Sequence, residues 1–276
     1  MNSHLRLAIS LPSLLRTLVH NHELIYEMTR RDVIGRYKGS MLGLIWAIAN
    51  PILLLITYTF VFSVVFHARW GSEDPKSTSQ FASLLFIGMI IHNLFSETLM
   101  RAPSLIVANT NYVKKIVFPL EILPVVVLGT SLFHAMISLT ILVISLLALT
   151  GTVSWTILYL PVVLFPLILL SLGFAWMLAS LGVFLRDVSQ PIGLAMTALL
   201  FFSPVFYPAT ALPEHLRPWL MINPLTFIIE QARAVIFFGR APQVYGLLLY
   251  AICSVIIAWL GYVWFQKTRK GFANVL

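Results

Sequence analysis

Five stretches of this chain contain no Asp, Glu, Lys or Arg: residues 39–66, 77–96, 122–185, 188–213 and 241–266. A water-soluble domain carries about a quarter of its residues as charges, whereas here 10% are charged and 59% hydrophobic. The chain is therefore built for a bilayer, where an ionised side chain at the centre costs roughly 2.5 to 3.5 kcal/mol. A helix needs about 20 residues to cross, so four runs hold one crossing each and the run 122–185 holds two. Thr150-Gly-Thr-Val-Ser-Trp155 supplies the turn between those two, with Gly151 to stop one helix and Ser154 to cap the next. The expected fold is an all-α integral membrane protein with six transmembrane helices, at about 42–66, 79–100, 121–149, 155–185, 190–208 and 243–265.

Orientation follows from the basic residues. With both termini inside, 13 of the 18 Lys and Arg lie on the inner side, and Arg69, Lys76, Arg217, Arg233 and Arg240 remain outside. The net charge of +8 is thus explained by topology and gives no reason to expect nucleic acid. Three regions result: a cytoplasmic N-terminal region 1–38, a membrane domain 39–266 and a cytoplasmic tail 267–276. The single cysteine, Cys253, excludes an intrachain disulfide framework and a Cys-x-x-Cys site.

Residues 212–239 do not suit a seventh crossing. Asn223-Pro224 starts a helix and Gly239 ends it, which leaves about 15 residues, too short to span. Glu230 and Arg233 lie within it at i, i+3, and a seventh crossing would place Lys267, Arg269 and Lys270 outside. A re-entrant or interfacial hairpin on the outer face is expected. At the amino terminus, Pro12 and Arg16 interrupt the apolar stretch after Arg6, and no Ala-x-Ala site follows, so a signal peptide is not expected. Leu14, Leu18, Ile25 and Met28 share a helical face instead, as in an amphipathic helix along the inner interface, and Thr29-Arg-Arg-Asp32 reads as a capping box that restarts it.

The chain has no nucleotide-binding Gly-x-x-x-x-Gly-Lys loop, no His-Glu-x-x-His pair and no Gly-x-Ser-x-Gly elbow. Its seven histidines are scattered, so no metal site is expected. The middles of the spans lack Asp, Glu, Lys and Arg, which argues against proton or sodium coupling and leaves His134 as the residue that keeps it open. Glu97 and Arg101, at i, i+4 near the inner end of the second span, read as a snorkelling ion pair. Tyr58, Phe62 and Phe66 line up at i, i+4, i+8, and Phe201, Phe202, Phe206 and Tyr207 cluster beside Pro204 and Pro208. Such rings pack helices or stack on sugars.

Several motifs occur together. Arg30-Arg-Asp-Val-Ile-Gly-Arg-Tyr-Lys-Gly-Ser-Met-Leu-Gly-Leu-Ile-Trp46 is followed by Asn50-Pro51, by Asn109-Thr-Asn-Tyr-Val-Lys-Lys-Ile-Val-Phe-Pro119, and by Glu121-Ile-Leu-Pro124. Arg186-Asp187, Ser203-Pro-Val-Phe-Tyr-Pro208 and Asn223-Pro-Leu-Thr226 continue the series. From about Glu23 to its end the chain resembles the permease subunits of type-2 ABC exporters of polysaccharides, which serve O-antigen, capsule and teichoic acid. The stretch His67-Ala-Arg-Trp-Gly71 leans the resemblance toward O-antigen.

The resemblance implies a homodimer in the bacterial inner membrane, with two copies of a cytoplasmic ATP-binding subunit. That subunit would bind ATP and magnesium, this chain itself needing no cofactor, and the substrate would be a lipid-linked polysaccharide moved outward across membrane lipid. It implies a gate helix at residues 23–37 and coupling loops at 101–118 and 186–190. Asn109, Asn111, Lys114, Lys115, Arg186, Asp187, Arg30 and Arg31 would meet the ATPase, and Tyr58, Phe62, Phe66, Phe202 and Phe206 would line the polymer's path. A small-lipid or drug permease of the same fold and a membrane-embedded glycan enzyme are the alternatives. The enzyme would need paired acidic or His residues near the outer face, and Glu73, Asp74, Glu214, His215 and Glu230 make no evident pair.

Overall fold

The computed structural model describes residues 11–65, 77–113, 118–215 and 217–276, and among these there is no strand. Helices α1 (Leu11–His20) and α2 (His22–Tyr37) precede α3 (Trp46–Tyr58). A 3-10 turn at Gly43–Ile45 leads into α3, and a π-helical stretch at Thr59–Val65 extends it. Next come α4 (Ser77–Arg101), the short α5 (Thr110–Val113), α6 (Leu123–Thr150) and α7 (Leu160–Phe184). The chain ends with α8 (Ser189–Phe202), α9 (Arg217–Ile222), α10 (Pro224–Ile236), α11 (Val244–Thr268) and α12 (Phe272–Val275). Among the described residues, five helical stretches are long and apolar enough to cross a bilayer: Gly43–Phe62, Gln80–Arg101, Leu120–Leu149, Trp155–Phe184 and Val244–Val275. The chain is a multi-pass, all-helical membrane protein.

The segment 190–208 differs from the expected continuous span. Helix α8 has 14 residues, which rise about 21 Å, less than the roughly 30 Å of a hydrocarbon core. It stops because Pro204 drives the preceding residue out of the helical region: Ser203 is extended at φ −87°, ψ 150°. Both the amide and the hydroxyl of Ser203 donate to Leu199 O, at 2.9 and 2.6 Å.

Helix α10 begins beside this break. Asn223 Oδ1 accepts the Leu225 amide at 2.9 Å, with Pro224 in the first turn, as the sequence led one to expect. The Asn223 side-chain Nδ2 also donates to Ser203 Oγ at 2.9 Å. From there α10 runs antiparallel to the start of α11. Tyr250 donates to Pro224 O at 2.7 Å, Phe227 covers Gly246, and the Gln243 amide donates to Gln231 Oε1 at 2.8 Å. The helix stops just before Gly239, whose φ of +63° suits a residue without Cβ.

Helix α4 lies at the centre of the bundle, packed against α6, α7, α8 and α10. Helices α7 and α11 pair tightly because Gly173 and Gly261 let their backbones touch. Gly151 closes α6 at φ +71°, its amide bonded to Leu147 O at 3.0 Å. Ser154 stands at the start of the next helical turn, but its side chain makes no cap there. Thr156 takes that hydroxyl at 3.0 Å and also donates to Val235 O at 2.6 Å, which ties the turn to α10.

At the amino terminus the expected apolar face is turned inward: Leu14 is buried and Leu18 and Met28 pack on the core. The capping box expected at residues 29–32 does not form. The helix breaks earlier, at Asn21 (φ −102°, ψ 20°), and α2 runs unbroken through Thr29 and Asp32. Those two side chains have stronger partners than a helix end: Thr29 packs on Gly129, and Asp32 is taken by Arg101 and Thr130.

Candidate functional site

The loop after α4 is anchored before it is exposed. Pro103 lies against Gly182 of α7 so closely that no Cβ would fit there. A 3-10 turn at Val107–Asn109 and α5 follow, with the Asn109 amide donating to Leu105 O at 2.9 Å. Asn111 is exposed, and Tyr112 stacks on Phe118 with ring centroids 4.3 Å apart. Lys114 and Lys115 lie outside the described residues. In the second loop, Arg186 and Asp187 form an exposed 3-10 turn at the foot of α7. Four residues up the same helix, Gly182 holds the first loop. Arg30 and Arg31 are exposed on α2, where Arg30 meets Glu27 at 3.8 Å. The structure brings Arg31 and Asn109 to one cavity of about 400 Å³ between α2, the inner loop and α6.

A set of polar contacts beside that cavity corrects the reading of Glu97 and Arg101. These two do not pair with each other along α4; both reach across to α2. Arg101 bonds Asp32 at 2.8 Å, and Arg36 bonds Glu97 at 2.6 Å. Thr130 of α6 donates to the second Asp32 oxygen at 2.7 Å. His134 Nδ1 lies 3.1 and 3.2 Å from the two oxygens of Glu97, and Tyr37 Oη lies 3.1 Å from Nε2. The carboxylate assigns the proton to Nδ1, so Nε2 accepts from the tyrosine. Burial pushes the Tyr37 phenol above its usual pKa, with Arg36 opposing and Glu97 adding to the rise, so it remains a donor at neutral pH. His134 is eleven residues along from Leu123, roughly 16 Å up the helix. A second cavity of about 440 Å³ opens here, lined by Arg36, Asn50, Asn93, Glu97 and His134 among others. Nearer the inner end, Arg269 of the tail bonds Glu121 at 2.7 Å and Phe118 O at 2.9 Å.

The aromatic residues divide. Phe62 and Phe206 stack at 5.6 Å, Tyr58 lies 6.5 Å from Phe62, and Phe81 of α4 and Phe201 complete the group at 5.7 Å each. Phe202 stands apart, 70% exposed. Phe66 lies outside the described residues. Beside this group sits the least expected residue of the site. Arg233 is 1% exposed and donates to Leu84 O at 3.0 Å, Val205 O at 3.1 Å and Glu230 at 2.9 Å. It joins α4, the break after α8 and α10. Only its i, i+3 spacing to Glu230 was visible in the sequence.

The family model described as ABC-2 type transporter matches residues 23–237. An O-antigen export system permease protein RfbA of Myxococcus xanthus is 26% identical over 263 residues, 95% of this chain and 98% of that protein. Its namesake in Klebsiella pneumoniae is 25% identical, over 92% of this chain and 95% of that one. The polysialic acid transport protein KpsM of Escherichia coli is 22% identical, over 87% of this chain and 91% of KpsM.

Proposed function

The chain belongs to the ABC-2 type transporter family, and from that premise we propose that it is the membrane subunit of an ATP-driven polysaccharide exporter. Its cargo on this reading is a lipid-linked polymer of the O-antigen kind. The observation that carries the reading is the alignment of 95% of the chain with an O-antigen export permease, end to end with that protein. The polysialic acid relatives favour a capsule polymer as the second reading.

The architecture supports this division of labour. An apolar helical scaffold without a nucleotide loop needs a separate engine, here two ATP-binding subunits beneath a homodimer in the inner membrane. In the proposed topology both termini are cytoplasmic. Helix α8 and the turns at 203–208 complete a sixth crossing. Helices α9 and α10 form an outer re-entrant hairpin, in keeping with the antiparallel course of α10 along α11. Residues 101–118 and 186–190 are the coupling loops, where Asn109, Asn111, Lys114, Lys115, Arg186 and Asp187 meet the ATPase together with Arg30 and Arg31 of α2. Tyr58, Phe62, Phe66, Phe202 and Phe206 line the polymer's way out.

Co-expression and purification with its ATP-binding subunit tests the reading. We expect a stable complex with magnesium-dependent ATP hydrolysis, and lipid-linked glycan accumulating in the cytoplasm of cells that lack this chain. A normal glycan surface in those cells would refute it.

A further inference from the structure

Helix α2 is held in an unusual way for a helix in an apolar bundle. Val33 is its one buried residue, and cavities of about 440 and 400 Å³ flank its second half. Besides the close approach of Thr29 to Gly129 and the packing of Met28, polar contacts fix its position: Asp32 with Arg101 and Thr130, Arg36 with Glu97, and Tyr37 with His134. The helical path changes at both ends, at Asn21 with φ −102° and ψ 20° and at Gly39 with φ +92°. A helix fixed largely by polar contacts beside open cavities can be moved with less repacking than a close-packed interior demands.

The two pairs differ in where they attach. Glu97 lies within α4, one turn from its end. Arg101 is the last residue of α4, directly before Ala102 and the loop clamped at Pro103. The 400 Å³ cavity lies between that loop and α2, with Leu105, Asn109 and Tyr112 on one wall and Met28, Arg31 and Gly35 on the other. The Asp32–Arg101 pair crosses from the loop's first residue to α2 beside it. A displacement of the loop therefore acts on Asp32 directly, while Arg36 and Glu97 hold the far end as a pivot.

We propose that Asp32 and Arg101 are positioning residues that transmit motion of the inner loop to α2, turning it about the Arg36–Glu97 pair. The proposal rests on the exporter reading, since the ATP-binding subunit is what moves the loop. Removing either charge leaves ATP hydrolysis intact but disconnects it from α2. Reversing both restores the connection, because attraction between the two sites is what matters. The pair is partly exposed, so it is a modest contributor to stability, and the variants are expected to assemble.

The test uses the complete complex in nanodiscs, measuring polymer exported per ATP hydrolysed, with spin labels at Ile34→Cys and Met136→Cys, both exposed in the wild type. In Asp32→Asn and Arg101→Gln, export per ATP is expected to fall roughly 5-fold with hydrolysis within about 2-fold of wild type. The Asp32→Arg, Arg101→Asp double variant is expected to recover more than half of the loss. ATP shifts the label distance in the parent and not in Arg101→Gln. Equal export per ATP in both single variants, or a label shift that persists in Arg101→Gln, overturns the proposal alone. A parent complex that hydrolyses ATP but exports no polymer overturns the exporter reading with it.

Discussion

Helices α3 and α4 cross the same membrane and obey opposite rules. The α3 stretch has a mean hydropathy of 2.0 and 11% of its apolar window is buried within the subunit, whereas α4 has 1.4 and 78%. In water the more apolar helix would be the inner one. In a bilayer the apolar surface already has its solvent, so the interior can collect what lipid cannot satisfy. On α4 these are Ser83, His92, Thr98 and Glu97, each with partners from neighbouring helices or its own turn. Polarity within a span therefore marks the face turned to protein.

The largest test of this contrast is on the helix that covers α4. Arg233→Met removes a cation that serves two backbone carbonyls and Glu230 from a site 1% exposed. Leaving buried carbonyls without their donor costs about 1 to 3 kcal/mol each, and a large drop in melting temperature in detergent is expected. Leu53→Ala on α3, at a position 53% exposed, is expected to change stability by less than about 1 kcal/mol. Equal losses at the two sites would mean that α3 is as enclosed as α4, and the contrast would fail.

Glycines give a sharper comparison with smaller effects. At Gly182 a methyl group would strike the Pro103 backbone, while at Gly35 it would meet nothing within 4 Å. Gly182→Ala is expected to cost about 1 to 3 kcal/mol as overpacking. Gly35→Ala, in the last turn of α2, is expected to gain up to about 0.5 to 1 kcal/mol from helix propensity. Thermal unfolding of the two variants checks both signs. A loss at Gly35 would show that α2 is more tightly held than its flanking cavities indicate.

The spans were legible because charge exclusion acts along the sequence: a run without Asp, Glu, Lys or Arg announces itself. The Asn223-Pro224 cap and the Gly151 stop were legible for the same reason, being local chemistry. The break of α8 was half written, since Ser203-Pro204 and Pro208 were noted as neighbours of aromatic residues but not as the end of a helix. The contacts of α2 were present as two patterns, Asp32 with Arg36 and Glu97 with Arg101, each an opposite-charge pair at i, i+4. Read singly, each pattern closes on itself along one helix. Set antiparallel, the two helices cross-match, Asp32 to Arg101 and Arg36 to Glu97, and only the packing shows which choice is made. The burial of Arg233 had no local mark, because its partners Leu84 and Val205 are carbonyls far off in the chain.

The smallest expected effect separates two uses of aromatic rings. Phe62 stacks on Phe206 and lies against Phe81, so Phe62→Leu removes ring contacts worth about 0.5 to 1.5 kcal/mol beyond the area they bury. A loss of that size in stability is expected, and any slower export in this variant would be ambiguous between packing and the polymer's path. Phe202 is free of that ambiguity. It is 70% exposed on α8, so Phe202→Leu is expected to leave the melting temperature unchanged. On the exporter reading its ring meets the polymer, and export slows at constant protein level and constant ATP hydrolysis. Unchanged export in Phe202→Leu would remove that residue from the path, leaving the Phe62–Phe206 stack as helix packing in the outer half of the bundle.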